Sequence, residues 1–115
     1  MIILFVERDH APRRWMKDLL EAAGARIVEA ELSGRMDAAA FAPQLVLVEL
    51  SNAEDAAVLR EIRGTLDPGT ALIALVGAGV AEDVVLSVET DEVLAEPVSM
   101  DSLFAAIAAH LPPAD

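Results

Sequence analysis

A chain of 115 residues, 55% hydrophobic, 24% charged and only 3% aromatic, is sized for one core of aliphatic side chains, the composition of a parallel sheet covered on both faces. It has no cysteine, which excludes disulfides, thiolate metal sites and a cysteine nucleophile. Its formal charge is -12, and its eight bases all precede residue 64, so the second half carries nine acids and no Lys or Arg. Such a surface repels a nucleic-acid backbone and favours a basic protein partner, although it also fits a purely solubilising role. No apolar run approaches the roughly 18 residues of a membrane span and no basic signal-peptide start is present. The expectation is one soluble, cytoplasmic domain over residues 1–115, with 112–115 a tail or the start of a linker.

Residues 1–6 form a continuous apolar run closed by Glu7, which reads as a buried strand. Asp9 as a cap and Pro12 in a first turn predict a helix whose stripe is Trp15, Met16, Leu19, Leu20 and Ala23, stopped by Gly24. Residues 26–30 make a weaker strand, and Ser33, Asp37, Ala40 and Phe41 suggest a modest helix ended by Pro43. A second buried strand spans 44–50, and a helix over 52–66 places Ala56, Leu59, Ile62 and Leu66 on one stripe, with acids early and arginines late. After the turn Asp67-Pro68-Gly69 come a buried strand at 71–76, the link Gly77-Ala78-Gly79 and a short helix at 80–88. A last strand at 93–95 precedes Pro97, a Ser99 cap and a helix carrying Leu103, Phe104, Ile107 and Leu111. Strands alternating with helices predict an open parallel α/β sheet with helices on both faces.

Ligands of such sheets bind beyond the carboxyl ends of the strands, near the point where strand order reverses. That rule nominates Glu7 and Arg8, Glu49, Val76 and Gly77, and Glu96. The runs Ile3-Leu4-Phe5-Val6-Glu7-Arg8-Asp9, Pro43 to Leu50, Ala71 to Gly77 and Asp91 to Val98 resemble, in order and spacing, the strand ends of response-regulator receiver domains. The resemblance covers the whole chain and implies a flavodoxin-like, doubly wound (βα)5 fold with strand order 2-1-3-4-5. It also implies a pocket of two acids holding magnesium, an aspartate phosphoacceptor, a Thr or Ser, and a Lys-Pro pair.

The residues present depart from that pattern. Glu7 keeps one acid of the pair, Arg8 stands at the other, and Asp9 lies one step too far along. Glu49 takes the phosphoacceptor position with an extra methylene, which displaces its carboxylate from in-line geometry. Val76 replaces the hydroxyl, Val93 the aromatic that reports phosphorylation, and Glu96 the lysine, while Pro97 remains. The stretch after Glu49 is shorter than the family's and lacks its Pro and Asp-Gly turn. Glu7, Glu49, Glu96 and Arg8 sum to the same charge as three carboxylates and one ammonium, so Arg8 is a candidate internal cation bridging to Glu49 or Glu96 in place of the metal; an ordinary solvated ion-pair cluster is the plainer alternative.

The expectation is therefore a degenerate receiver with no catalytic residue, metal or cofactor, acting by protein contact. The resemblance places the contact face between about residue 80 and the last helix, where Glu82, Asp83, Glu89, Asp91, Glu92 and Asp101 would meet a basic partner. The paired cations of symmetric receiver dimers are absent, and the oligomeric state stays open. Two alternatives are a divergent magnesium-dependent phosphoacceptor and a flavodoxin-like binder of a flavin or nucleotide, the latter poorly served by one Trp and no Tyr. His10 near the pocket, His110 near a helix end and the Gly77-Ala78-Gly79 link carry weaker functional readings than structural ones. Trp15 and Met16 read as core or its margin.

Overall fold

The computed structural model describes residues 2–7, 14–31, 38–96 and 98–110. Strands β1 Ile2–Glu7, β2 Arg26–Glu31, β3 Leu45–Leu50, β4 Ala71–Val76 and β5 Glu92–Ala95 form one sheet in the order β2-β1-β3-β4-β5. This is the order that the resemblance to receiver domains implies. Every neighbouring pair is parallel, so each connection must cross over the sheet. Helices α1 Arg14–Ala22, α2 Ala53–Thr65 and α3 Glu82–Leu86 lie in three of these connections, and α4 Met100–His110 follows the last strand.

The alternation of side chains along each strand divides the core into two layers. Leu4, Val6, Val46, Val48, Leu72 and Ala74 point to the side where α2 delivers Ala56, Leu59 and Ile62. Ile3, Phe5, Leu45, Leu47, Ile73 and Leu75 face the other side, against Met16 and Leu20 of α1 and Leu103, Ala106 and Ile107 of α4. Strands β3 and β4 are central and covered on both faces, which is why their sequences read as unbroken apolar runs. Edge strand β2 is instead tied by its charges: Lys17 Nζ lies 2.8 Å from Glu29 Oε1, and this hydrogen-bonded carboxylate holds the Lys17 pKa above its ordinary value of 10.5.

Several expectations needed correction. Of the modest helix expected before Pro43, the described residues show a 3-10 turn, Ala38–Phe41; residues 32–37, with Ser33 and Asp37, lie outside the described set. Its end at Ala42 takes φ 49°, a left-handed conformation that costs a residue with a Cβ about 1 to 2 kcal/mol and stops further winding ahead of Pro43. Helix α3 covers only Glu82–Leu86 rather than 80–88. Trp15 and Leu19 are exposed, because the short α1 touches the sheet along the narrow Met16–Leu20 row and leaves its flank in solvent. Phe104 of α4 is exposed for the same reason. The Asp9 cap, Pro12 and Leu111 lie outside the described residues.

Candidate functional site

The carboxyl edge of the sheet is where the register gathers the nominated residues. Val6 pairs with Val48, which sets Glu7 level with Glu49, and Glu49 in turn pairs with Leu75. The Gly77 amide donates to the Leu50 carbonyl at 3.0 Å and the Glu96 amide to the Val76 carbonyl at 2.8 Å, extending the ladder one step past β4 and β5. Glu7, Glu49, Gly77 and Glu96 continue the alternation of Phe5, Leu47, Leu75 and Leu94, so all four fall on the α1/α4 side. Glu7 and Glu49 flank the β1/β3 boundary, the point at which strand order reverses.

The surroundings of these side chains differ. Glu7 is 1% exposed, while Glu49 and Glu96 are half-buried. A Cβ at Gly77 would lie 3.9 Å from Glu96 Oε2 and 3.8 Å from the Leu50 carbonyl oxygen, so the Glu96 carboxylate sits over Gly77. Val76, in the hydroxyl position, instead joins the α2-side core and brings no hydrogen-bonding group. Arg8, Asp9, His10 and Pro97 lie outside the described residues. Among the described residues no three carboxylate or imidazole side chains come together as a metal-holding group. Glu96 stands where the resemblance implies a lysine.

The connection after Glu49 is a compact cap. Asn52 Oδ1 accepts the Asp55 amide at 3.0 Å, and the Asp55 carboxylate, itself 1% exposed, accepts the Ser51 amide at 3.2 Å. The Ser51 hydroxyl donates to Glu49 Oε1 at 3.3 Å. Helix α2 thereby begins at Ala53, with two residues between it and the end of β3 at Leu50.

The acids of the expected contact face differ in their surroundings. Glu82, Asp83, Glu89, Asp91 and Asp101 are exposed, but Glu92 is half-buried and its Oε2 lies 2.7 Å from His110 Nε2. Asp91 Oδ2 accepts the Leu72 amide at 2.7 Å and sits 3.6 Å from Arg63 Nη1, which also donates to the Thr70 carbonyl at 2.9 Å. These contacts lie at the amino end of the sheet, beside a shallow cavity lined by Pro68, Thr70 and His110. The local sequence gave no sign of the Glu92–His110 pair, because its partners meet only through tertiary packing. No helix among the described residues is long and apolar enough to cross a membrane.

No protein-family model matches the sequence, and no curated protein does either. Solved structures do match. The receiver domain of Klebsiella pneumoniae RstA, crystallised in its BeF3-activated form, superposes with a TM-score of 0.77 over 98% of this chain and 100% of its own, at 19% identity. The chain has the receiver-domain fold. A response-regulator receiver domain from Clostridium thermocellum gives 0.76 at 24% identity, covering 95% of this chain and 92% of that one. NtrX from Brucella abortus, in complex with ADP, gives 0.75 at 21% identity over 96% of this chain. This receiver fold spans only 26% of the NtrX chain.

Proposed function

We propose that this receiver fold is a phosphorylation-independent contact module of a two-component-type signalling pathway rather than a phosphoacceptor or an enzyme. The observation that carries the reading is the placement of Glu7, Glu49 and Glu96 at or just past the carboxyl ends of β1, β3 and β5 on one side of the sheet, with Val76 turned into the core. Phosphoryl transfer depends on positioning and on positive charge placed around the transferred group. Here the acceptor carboxylate is one methylene longer, the hydroxyl is absent and the cation position holds a third carboxylate.

Carboxylates at buried and half-buried strand ends need compensation, since a partly desolvated charge is stabilised less than one in water. Arg8, next to Glu7 in the chain, is the proposed internal counter-charge, taking the place of a divalent ion and fixing one arrangement of the pocket. The partner is a protein with a basic surface, met by the acidic half of the molecule, and nucleic acid is disfavoured by the same charge. A cytoplasmic location fits the cysteine-free sequence.

The test is incubation with magnesium and acetyl phosphate followed by intact mass, with Trp15 fluorescence recorded through a magnesium titration. Unchanged mass and no saturable fluorescence change are expected. A phosphoryl adduct would establish the alternative, a divergent magnesium-dependent receiver.

A further inference from the structure

Helix α1 is charged against its own dipole. It opens with Arg14 and has Glu21 in its last turn, with no acid in the first turn and no base in the last. A helix gains from acids at its start and cations at its end, so this order is the unfavourable one for α1 alone. Arg14, Asp18 and Glu21 are all exposed and make no ion pair among the described residues. Lys17 differs, because Glu29 of β2 already holds it.

The same helix carries an uncovered apolar strip. Trp15 is 41% and Leu19 42% exposed, and Ala22 is exposed as well. Leu19 and Ala22 follow Trp15 at the spacing that stacks side chains along one line of a helix, so the three form a continuous strip. Lys17, two residues on from Trp15, points the opposite way, towards β2. The strip is therefore clear of that ion pair.

The charges select the occupant. Two bases and two acids make α1 neutral, whereas the other three described helices each have more acids than Lys and Arg residues. In a chain of formal charge -12, α1 is thus where two copies can approach without acids facing acids. A second α1 running the opposite way fits it. A two-fold axis through the middle of the helix sets Arg14 of one copy beside the last turn of the other, where Glu21 lies, and repeats the pairing at the far end. Each Arg14 then lies near the negative end of the other helix and each Glu21 near its positive end. The order that is unfavourable within one helix becomes favourable between two. A parallel pairing would instead set Arg14 against Arg14 and Glu21 against Glu21.

We infer that α1 is a self-association surface on which two copies of this chain pair antiparallel, with Trp15, Leu19 and Ala22 as the apolar seam and Arg14 and Glu21 as the flanking ion pairs. The apolar seam supplies affinity, and the ion pairs set the direction. The seam spans about two turns, well short of a standard interface, so the dimer is weak and depends on concentration. The pairing does not depend on the chemistry of the carboxyl-edge pocket, and an acetyl phosphate adduct would leave it standing.

The test is sedimentation equilibrium of the full chain from about 10 µM to about 1 mM, over which the mean mass is expected to rise from monomer towards dimer. Trp15→Ser and Leu19→Ser are each expected to weaken the dimer at least about tenfold. Arg14→Glu is expected to weaken it by about tenfold, and Arg14→Glu combined with Glu21→Arg to restore it, because the double reversal rebuilds both ion pairs. Arg14→Glu also puts an acid at the start of α1, which favours the helix, so its effect on the dimer is not that of a lost α1. The sequence has no cysteine, so Asp18→Cys supplies a single thiol at mid-helix. A short bismaleimide is expected to join two copies there and not through Arg14→Cys, since in an antiparallel pair only the middle position meets its own counterpart. A monomer at every concentration would leave the strip to a different protein and overturn the inference. No recovery in the double reversal, or equal cross-linking at positions 14 and 18, would overturn it as well.

Discussion

Replacing Asn52 by Ala should destabilise the protein by an amount that can be worked out from the cap. Asn52 Oδ1 holds the Asp55 amide at 3.0 Å, and Asp55 in turn holds the Ser51 amide at 3.2 Å, so Asn52 fixes both the first turn of α2 and the strand exit at Glu49. Loss of an N-cap of this kind costs about 1 kcal/mol, within a range of roughly 0.5 to 2. With an unfolding entropy of about 2 cal/mol/K per residue, 115 residues give about 0.24 kcal/mol/K, so the expected fall in Tm is about 4 °C. Asn52→Asp, which keeps the acceptor and complements the helix dipole, should hold Tm close to the parent value. Thermal unfolding followed by circular dichroism, with the exposed mid-helix change Glu61→Ala as reference, makes the comparison. If Asn52→Ala behaves like Glu61→Ala, or Asn52→Asp falls as far as Asn52→Ala, the cap is not what starts α2.

Leu59 is fully buried beneath α2, and Leu59→Ala should cost about 2 to 5 kcal/mol by urea denaturation, with an unchanged slope if only the cavity is responsible. Gly24 follows α1 at φ +100° whereas a Cβ at Gly77 would meet its neighbours at 3.8 to 3.9 Å, so Gly24→Ala should lower stability by about 1 kcal/mol and Gly77→Ala should be nearly silent; equal effects would contradict this. Glu29 raises the Lys17 pKa above 10.5, so this pair contributes stability that is fully present below that value and is lost as pH rises through the raised one. Lys17→Met should therefore lower the urea midpoint at about pH 8 and make little difference at the alkaline end, with the pH 8 effect shrinking in salt. A deficit that persists at high pH would point to lost packing of the lysine stem instead.

The layers of the fold were legible because β1, β3 and β4 sit inside the sheet, where burial on both faces forces continuous apolar runs. Leu59 and Ile62 were legible for a related reason, since a helix lying on a sheet buries one stripe. Trp15, Leu19 and Phe104 were harder: apolar spacing shows which side of a helix is apolar, but how wide a stripe is covered depends on neighbouring elements. The length of α3 and the bareness of Val93 are matters of the same kind. At the site, Glu7, Glu49 and Glu96 could be placed from strand ends alone, because parallel strands finish together. The use of Glu92 by His110 and of Asp91 by Arg63 and Leu72 could not, since those partners are far apart in sequence.

The most direct test of phosphorylation independence is an amide spectrum of the labelled chain titrated with beryllofluoride and magnesium, which together mimic the bound phosphoryl group. With Glu49 at the acceptor position and no hydroxyl at Val76, the account predicts no change at Glu49, Gly77 or Glu96. Saturable shifts at those residues, spreading to Val93 and α4, would show a working receiver switch and contradict the account.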